Sequence, residues 1–374
     1  MRAVACARRR ALRGGLEQPA FVVSCLALLA MCAGADAASG GPACRADLAV
    51  CGVPGVAVEC MRAQAGDAGV LRSALTLLGV LAGAGDEAPA AREPGAVGAA
   101  LDALAAHVGA LEVVLPCLTF LAAAARGEAP HWLADVAVLR SLTAVLSAHG
   151  AVVDVALLGV GLLALLASSR EHRERLLHSG ALRGVLGVAG AHAGSLPVLL
   201  CCMRFLAGVV DDSACAQEAL DAGVVEAVGA AMGLAAGVMG SPGAAFSGAS
   251  PRRASDASAT RGAGECATAA AAATAEVATW GCAILSGCSL RLGAARGGCV
   301  KAGAVEWVVA AMASQPAALT LTRFGLGFLR NVSEPGPLRA DVTAGGAVRL
   351  VLGALRAHPA VEVVQVRVKA CDLL

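Results

Sequence analysis

The feature that most constrains this chain is an internal repeat of about forty residues. The segments "AGAVEWVVAAMASQP" from Ala302, "GGAVRLVLGALRAHP" from Gly345, "SGALRGVLGVAGAH" from Ser179, "AGVVEAVGAAM" from Ala222 and "PGAVGAALDALAAH" from Pro94 share one pattern. Taking the Gly of each triplet as origin gives Gly95, Gly180, Gly223, Gly303 and Gly346, with Val136 filling the slot in "DVAVLRSLTAVLSAH" and Gly55 in "PGVAVECM". The steps are 40, 41, 44, 43, 80 and 43, the step of 80 being one period plus an insertion. A second landmark keeps the register: a Leu closing an apolar helix lies 26 residues after the origin at Leu81, Leu121, Leu206 and Leu329, 27 after it at Leu163, and at Leu285 in the long repeat. A fixed period of this length is the signature of stacked helical repeats, in which neighbours bury apolar faces that one repeat cannot bury alone.

Composition agrees with helices. Hydrophobic residues make up 57% of the chain, aromatic residues 2%, and Tyr is absent. Ala and Leu favour helix, whereas the 46 glycines would each cost about 1 kcal/mol inside one and so are expected at helix ends and close contacts. Each repeat reads as a Gly turn, an amphipathic helix of about ten residues, a short turn, a more uniformly apolar helix and a short polar segment.

The segment "LTRFGLGFLRNVSEPGPLRADVTAGGAVRLVLGALRAHPAVEVVQ", Leu321 to Gln365, resembles the armadillo repeat family: a third helix ending in a Leu-x-Asn motif, a short first helix, a Gly-Gly turn and a long second helix. HEAT repeats share this range of periods; the Gly turn and the short polar first helix, as in "REHRERLLHSG", favour armadillo. The resemblance implies an all-α, right-handed α-solenoid of three-helix repeats whose third helices line a concave surface that holds other proteins. The expected organisation is a partial N-terminal repeat over 1–54, armadillo-like repeats over 55–236, a disordered Ser/Gly/Ala/Pro-rich insertion over 237–272 inside the fifth repeat, and further repeats over 273–374. The chain ends at "VKACDLL", within what reads as the third helix of a truncated last repeat.

Little in the sequence points to catalysis. The net charge of +1 supplies no field for gathering nucleic acid. The fifteen cysteines show no CxxC spacing, so no metal is expected, and they read as small buried hydrophobes in a reducing compartment. His107, His192 and His358 fall 12 residues after their origins and His149 falls 13 after Val136, at the end of the second helix where a polar or cationic cap suits the helix dipole. His172 and His178 belong to a charged first helix. No nucleophile elbow, HExxH or phosphate-cradling Gly loop is present, and no cofactor is expected.

A protein-binding scaffold therefore leads, with a protein partner and no nucleic acid. Arg204, Arg323, Arg330 and Arg367 on third helices would place basic points on an apolar groove, suited to an amphipathic or acidic partner segment; simple solvation of each Arg is the alternative. Asn331 is the one Asn in the chain. Armadillo proteins that grip extended peptides carry an Asn near this place on successive third helices, but here the equivalent residues are Gly83, Ala123, Leu165, Gly208 and Gly287, so a turn cap is the competing role. In the insertion, Arg252-Arg253-Ala254-Ser255 resembles a basophilic kinase site, making Ser255 a candidate phosphosite; an unmodified linker is the alternative. A helical-repeat enzyme, such as a HEAT-type lyase, is the rival function.

The N-terminus admits two readings. Three arginines, an apolar run and Ala35-Asp36-Ala37 fit a secretory signal over 1–37, followed by a first helix. Against this, "SCLALLAMCAGAD" from Ser24 aligns with "SALTLLGVLAGAGD" from Ser73, "RADLAVCG" from Arg45 tracks "RADVTAGG" from Arg339, and the mid-chain "VALLGVGLLALLA" is equally apolar. The expectation is a broken first repeat in a cytoplasmic or nuclear protein; secretion or membrane association is the alternative, although the apolar run is short for a membrane span.

Overall fold

The computed structural model describes residues 18–34, 41–83, 94–125, 131–240, 256–334, 338–344 and 346–357. All regular structure among them is helical. The helices are α1 (Pro19–Ala33), α2 (Gly41–Val50), α3 (Val53–Ala63), α4 (Ala68–Gly83), α5 (Pro94–Ala106), α6 (Leu111–Ala124), α7 (Val136–His149), α8 (Val153–Ala167), α9 (Arg170–His178), α10 (Ala181–Ala191), α11 (Leu196–Val209), α12 (Ser213–Asp221), α13 (Val224–Gly240), α14 (Asp256–Arg291), α15 (Ala295–Lys301), α16 (Ala304–Ser314), α17 (Leu319–Ser333), α18 (Arg339–Ala344) and α19 (Ala347–Ala357). A 3-10 turn, His131–Ala134, precedes α7.

The helices follow the repeat. Full repeats run short, medium, long, as in α9, α10, α11 or α15, α16, α17. The turn from first to second helix is made by a glycine in the left-handed region: Gly180 (φ 75°), Gly223 (φ 89°), Gly303 (φ 90°) and Gly346 (φ 82°). Only a residue without Cβ adopts this conformation at no steric cost.

Two origins differ from expectation. The left-handed glycine of the early repeat is Gly52 (φ 73°), not Gly55, which lies inside α3. Pro54 at the start of α3 is a residue that opens helices, so the Pro-Gly pair that looked like a turn is a helix beginning. Moving the origin to Gly52 makes Leu78, not Leu81, the landmark. Gly95 likewise lies within α5. At Val136 the entry is an N-cap: the Asp135 carboxylate accepts the Ala137 N–H at 2.8 Å.

The expected insertion over 237–272 is helical at both of its ends. Helix α13 continues to Gly240, and α14 begins at Asp256 and runs for 36 residues, more than twice the 15 of α17. The Ala-rich run "ATAAAAATAEVA" has the highest helix propensity available and propagates the helix towards its N-terminus.

The chain divides into two compact units, Met1–Leu162 and Leu163–Leu374. In the N-terminal unit the third helices α1, α4 and α6 pack in sequence, and the second helices α3, α5 and α7 pack beside them. In the C-terminal unit α11, α14 and α17 form the third-helix column, α10, α13, α16 and α19 the second-helix column, and first helices α9 and α12 touch one another. Like helices stack on like, which is what a regular repeat requires.

Two positions of the third helix explain the core. The residue before each landmark Leu is fully buried or nearly so: Leu77, Phe120, Leu162, Phe205, Ile284 and Phe328. Burial of side chains this size contributes about 1.5–3 kcal/mol each. Four residues before the landmark the chain carries Ala74, Cys117, Gly159, Cys202, Gly281 and Gly325, all small. A Cβ on Gly159 would meet Leu146 Cδ2 at 2.8 Å, one on Gly281 would meet Met232 Sδ at 2.7 Å, and one on Gly325 would run into Met312. Where Cys stands instead, its thiol donates to a second-helix carbonyl: Cys117 Sγ to Ala100 O at 3.1 Å, Cys202 Sγ to Val185 O at 3.9 Å. Small residues here let the second helix lie against the third, and cysteine is used as one of them.

Candidate protein-binding surface

Within this register, one stripe of the third helix stays outside the core. Arg323 lies six residues before its landmark Leu, Arg204 two before and Arg330 one after, spacings that fall on a single helical face. All three are exposed. Glu276, nine before Leu285, extends the same stripe on α14 and pairs with Arg204 across the column, Nη2 to Oε2 at 2.5 Å. Both side chains are about half exposed (49% and 47%), so this ion pair contributes little to stability. Arg323 sits over the Phe324 ring, 5.0 Å from its centroid. Apart from Glu276, the remaining stripe residues of these helices are uncharged: Leu200 and Ala207 on α11 and Thr279, Ala283 and Ser286 on α14 are half-buried, and Gly327 on α17 is buried. In the N-terminal unit, Arg72 and Thr76 of α4 take these positions and are exposed. Sequence reasoning missed Arg72 because the slip to Gly55 moved the landmark to Leu81.

Asn331 faces elsewhere. It is 9% exposed, and its amide nitrogen donates to Ser286 O and Ser289 Oγ, both at 3.2 Å, on the neighbouring third helix. The equivalent glycines occupy the same seam: a Cβ on Gly208 would lie 2.8 Å from Ala167 O, and one on Gly287 would lie 3.1 Å from Val210 Cγ2. This position joins third helices, and at 208 and 287 it is glycine because the backbones come close there. Arg367, Ser255 and His358 lie outside the described residues.

Charged side chains that looked like surface or caps tie repeats together. Arg173 of α9, 8% exposed, donates from Nε to Ala167 O at 3.1 Å, at the end of α8, and pairs through Nη1 with Asp211 at 3.1 Å. Arg296 of α15 does the same two repeats later, Nε to Ser289 O at 2.9 Å and Nη2 to Glu334 at 3.0 Å. Asp211 also receives Arg291 Nη2 at 2.6 Å. Each first-helix Arg thus satisfies a carbonyl at the end of one third helix and an acid at the end of the next, where a cation suits the helix dipole. His107 and His149 act across repeats too: their Nε2 atoms lie 2.8 Å from Ala65 O and 2.9 Å from Val108 O, 42 and 41 residues back.

Burial pushes the thiols up, Cys202, Cys282 and Cys288 to about 12 and Cys299 to about 11; protonated thiols are poor nucleophiles and metal ligands. No group of three or more His, Cys, Asp or Glu side chains that could hold a metal ion occurs among the described residues. Nor is any single helix there long and apolar enough to cross a membrane. The chain is an all-helical repeat protein.

Comparison with known proteins adds similarity of shape only. No family model and no curated protein matches the sequence. Among solved structures, the chain is weakly similar to the designed armadillo repeat protein YIII(Dq)4CqI, with a TM-score of 0.47 and 14% identity over 75% of this chain and 94% of that one. An engineered protein, target OR329, gives 0.46 and 16% over 75% and 89%. A second engineered protein, target OR497, gives 0.43 and 16% over 95% of both chains.

Proposed function

We propose that this protein is a non-enzymatic scaffold of the armadillo type, binding a segment of a partner protein along the exposed stripe of its third helices. The supporting observation is the placement of Arg204, Arg323 and Arg330 on one uncovered helical face, on two third helices of one packed column. Around them lie small residues, Ala207, Thr279, Ala283 and Ser286, together with Leu200 and the Phe324 ring, which offer a partner segment apolar as well as ionic contacts. On α17 the stripe carries two arginines seven residues apart and no acid, so an acidic or amphipathic partner segment fits it. The buried, protonated cysteines support a reducing compartment, the cytoplasm or nucleus. Charge reversal of Arg323 and Arg330 to Glu is the test. The double variant should keep the helical circular dichroism of the parent and lose at least tenfold in affinity for the protein that co-purifies with the parent chain; undiminished affinity would overturn the assignment.

A further inference from the structure

A cavity of about 550 Å³ opens on the other side of the third-helix column, between α13, α14 and α16. Its floor is Met232, Ala235, Thr274, Ala278 and Trp307; Met232, Ala235, Thr274 and Ala278 are buried and Trp307 is half-buried. Much of the remaining lining is alanine and glycine, and the N-terminal extension of α14 supplies Thr274. The Trp307 ring is fixed: it packs on the backbone at Gly229 so closely that a Cβ there would overlap it.

Polar groups at the site are few and mostly committed. The Thr274 hydroxyl donates to Ala270 O at 2.7 Å, and that of Ser314 donates to Ala311 O at 2.7 Å. The one charged residue of the lining is Glu306, exposed at the mouth beside Trp307. It forms no ion pair with any described residue. A volume of this size, apolar walls, a fixed indole and a single carboxylate together make a concave site of the kind that takes small ligands, and its polarity selects a cation.

We propose that this cavity binds a protonated hydrophobic amine, with the apolar body against Met232, Ala278 and Trp307 and the ammonium on the Glu306 carboxylate. The site is independent of the third-helix stripe. The test is calorimetric titration of the full chain with three probes of one skeleton: 4-phenylbutylamine, 4-phenylbutan-1-ol and 4-phenylbutanoate. The amine should bind at least fivefold more tightly than the alcohol, and the alcohol more tightly than the carboxylate. Glu306→Gln should bring the amine down to the affinity of the alcohol while leaving the alcohol unchanged, and Ala310→Phe, at an exposed lining position, should abolish binding of both. Equal affinity of the parent chain for all three probes, no heat with any, or an amine preference that survives Glu306→Gln would overturn the proposal.

Discussion

The His149 ring and the Val108 carbonyl, 41 residues apart in sequence, meet at 2.9 Å, and His107 and Ala65 repeat the relationship at 2.8 Å over 42 residues. One helix-ending residue therefore satisfies the turn of the preceding repeat, and stacking is hydrogen-bonded as well as apolar. His149→Ala should lower unfolding stability by about 0.5–1.5 kcal/mol, the net worth of one such bond. Urea denaturation followed by circular dichroism checks it, with His131→Ala, at an exposed position in the 3-10 turn, as the silent control.

Arg173 and Asp211 contribute unequally although they share an ion pair. The guanidinium is buried and also satisfies Ala167 O, whereas the Asp211 side chain is 58% exposed. Arg173→Met should cost about 1.5–3 kcal/mol, the range for a hydrogen bond to a charged group, and Asp211→Asn less than about 1 kcal/mol. Equilibrium unfolding of the two variants and their double mutant should show coupling.

Close approach of third helices makes Gly208→Ala costly, by about 1–3 kcal/mol, because the new methyl would press on the Ala167 backbone. Gly187→Ala has the opposite sign. Gly187 lies in the interior of α10 with nothing within 4 Å of its Cβ position, so alanine should stabilise by about 0.5–1 kcal/mol. Thermal midpoints that move in opposite directions are the expected outcome.

Asp212 caps α12, its carboxylate accepting Ala214 N–H at 2.9 Å and Cys215 N–H at 3.2 Å. The Cys215 amide, and after it that of Ala214, holds this carboxyl below its ordinary value. A depressed folded-state pKa gives stability that is complete above the unfolded value of about 3.9 and disappears as pH falls through the folded one. Asp212→Ala should therefore cost about 1 kcal/mol at pH 7, and the gap to the parent chain should close below about pH 4.

Thiol reactivity separates two cysteine classes. At pH 8, iodoacetamide should label exposed Cys32 and Cys51 within minutes while Cys202, Cys282 and Cys288, raised to about 12, stay unlabelled until denaturant is added. Peptide mass spectrometry reads this directly.

Much of the fold was legible because a repeat prints its geometry several times. Gly180, Gly223, Gly303 and Gly346 each sit where the backbone demands a positive φ, and their spacing alone exposes the period. Gly55 misled because a Pro-Gly pair opens a helix as readily as it makes a turn, although the match of "RADLAVCG" to "RADVTAGG" already set Gly52 against Gly346. Residues 256–265 misled because Ser, Gly and Arg look loop-like there one at a time, whereas the Ala-rich run from Cys266, itself readable as helix, extends the helix back over them. The inter-repeat roles of Arg173, Arg296, His107 and His149 were invisible, since each depends on an atom about one repeat away that no local pattern names. For the candidate stripe, Arg204, Arg323 and Arg330 were legible as third-helix residues, but Glu276 and Arg72 joined them only when the register was fixed in space.

The central claim is that the exposed third-helix stripe is where a partner protein binds. A photo-crosslinking residue placed in turn at Ala207, Thr279 and Arg323, and at the exposed second-helix positions Arg140 and Arg183, tests it in native cells. The account predicts one and the same protein adduct from the three stripe positions and none from the second-helix pair. Adducts from Arg140 and Arg183 with none from the stripe would contradict it.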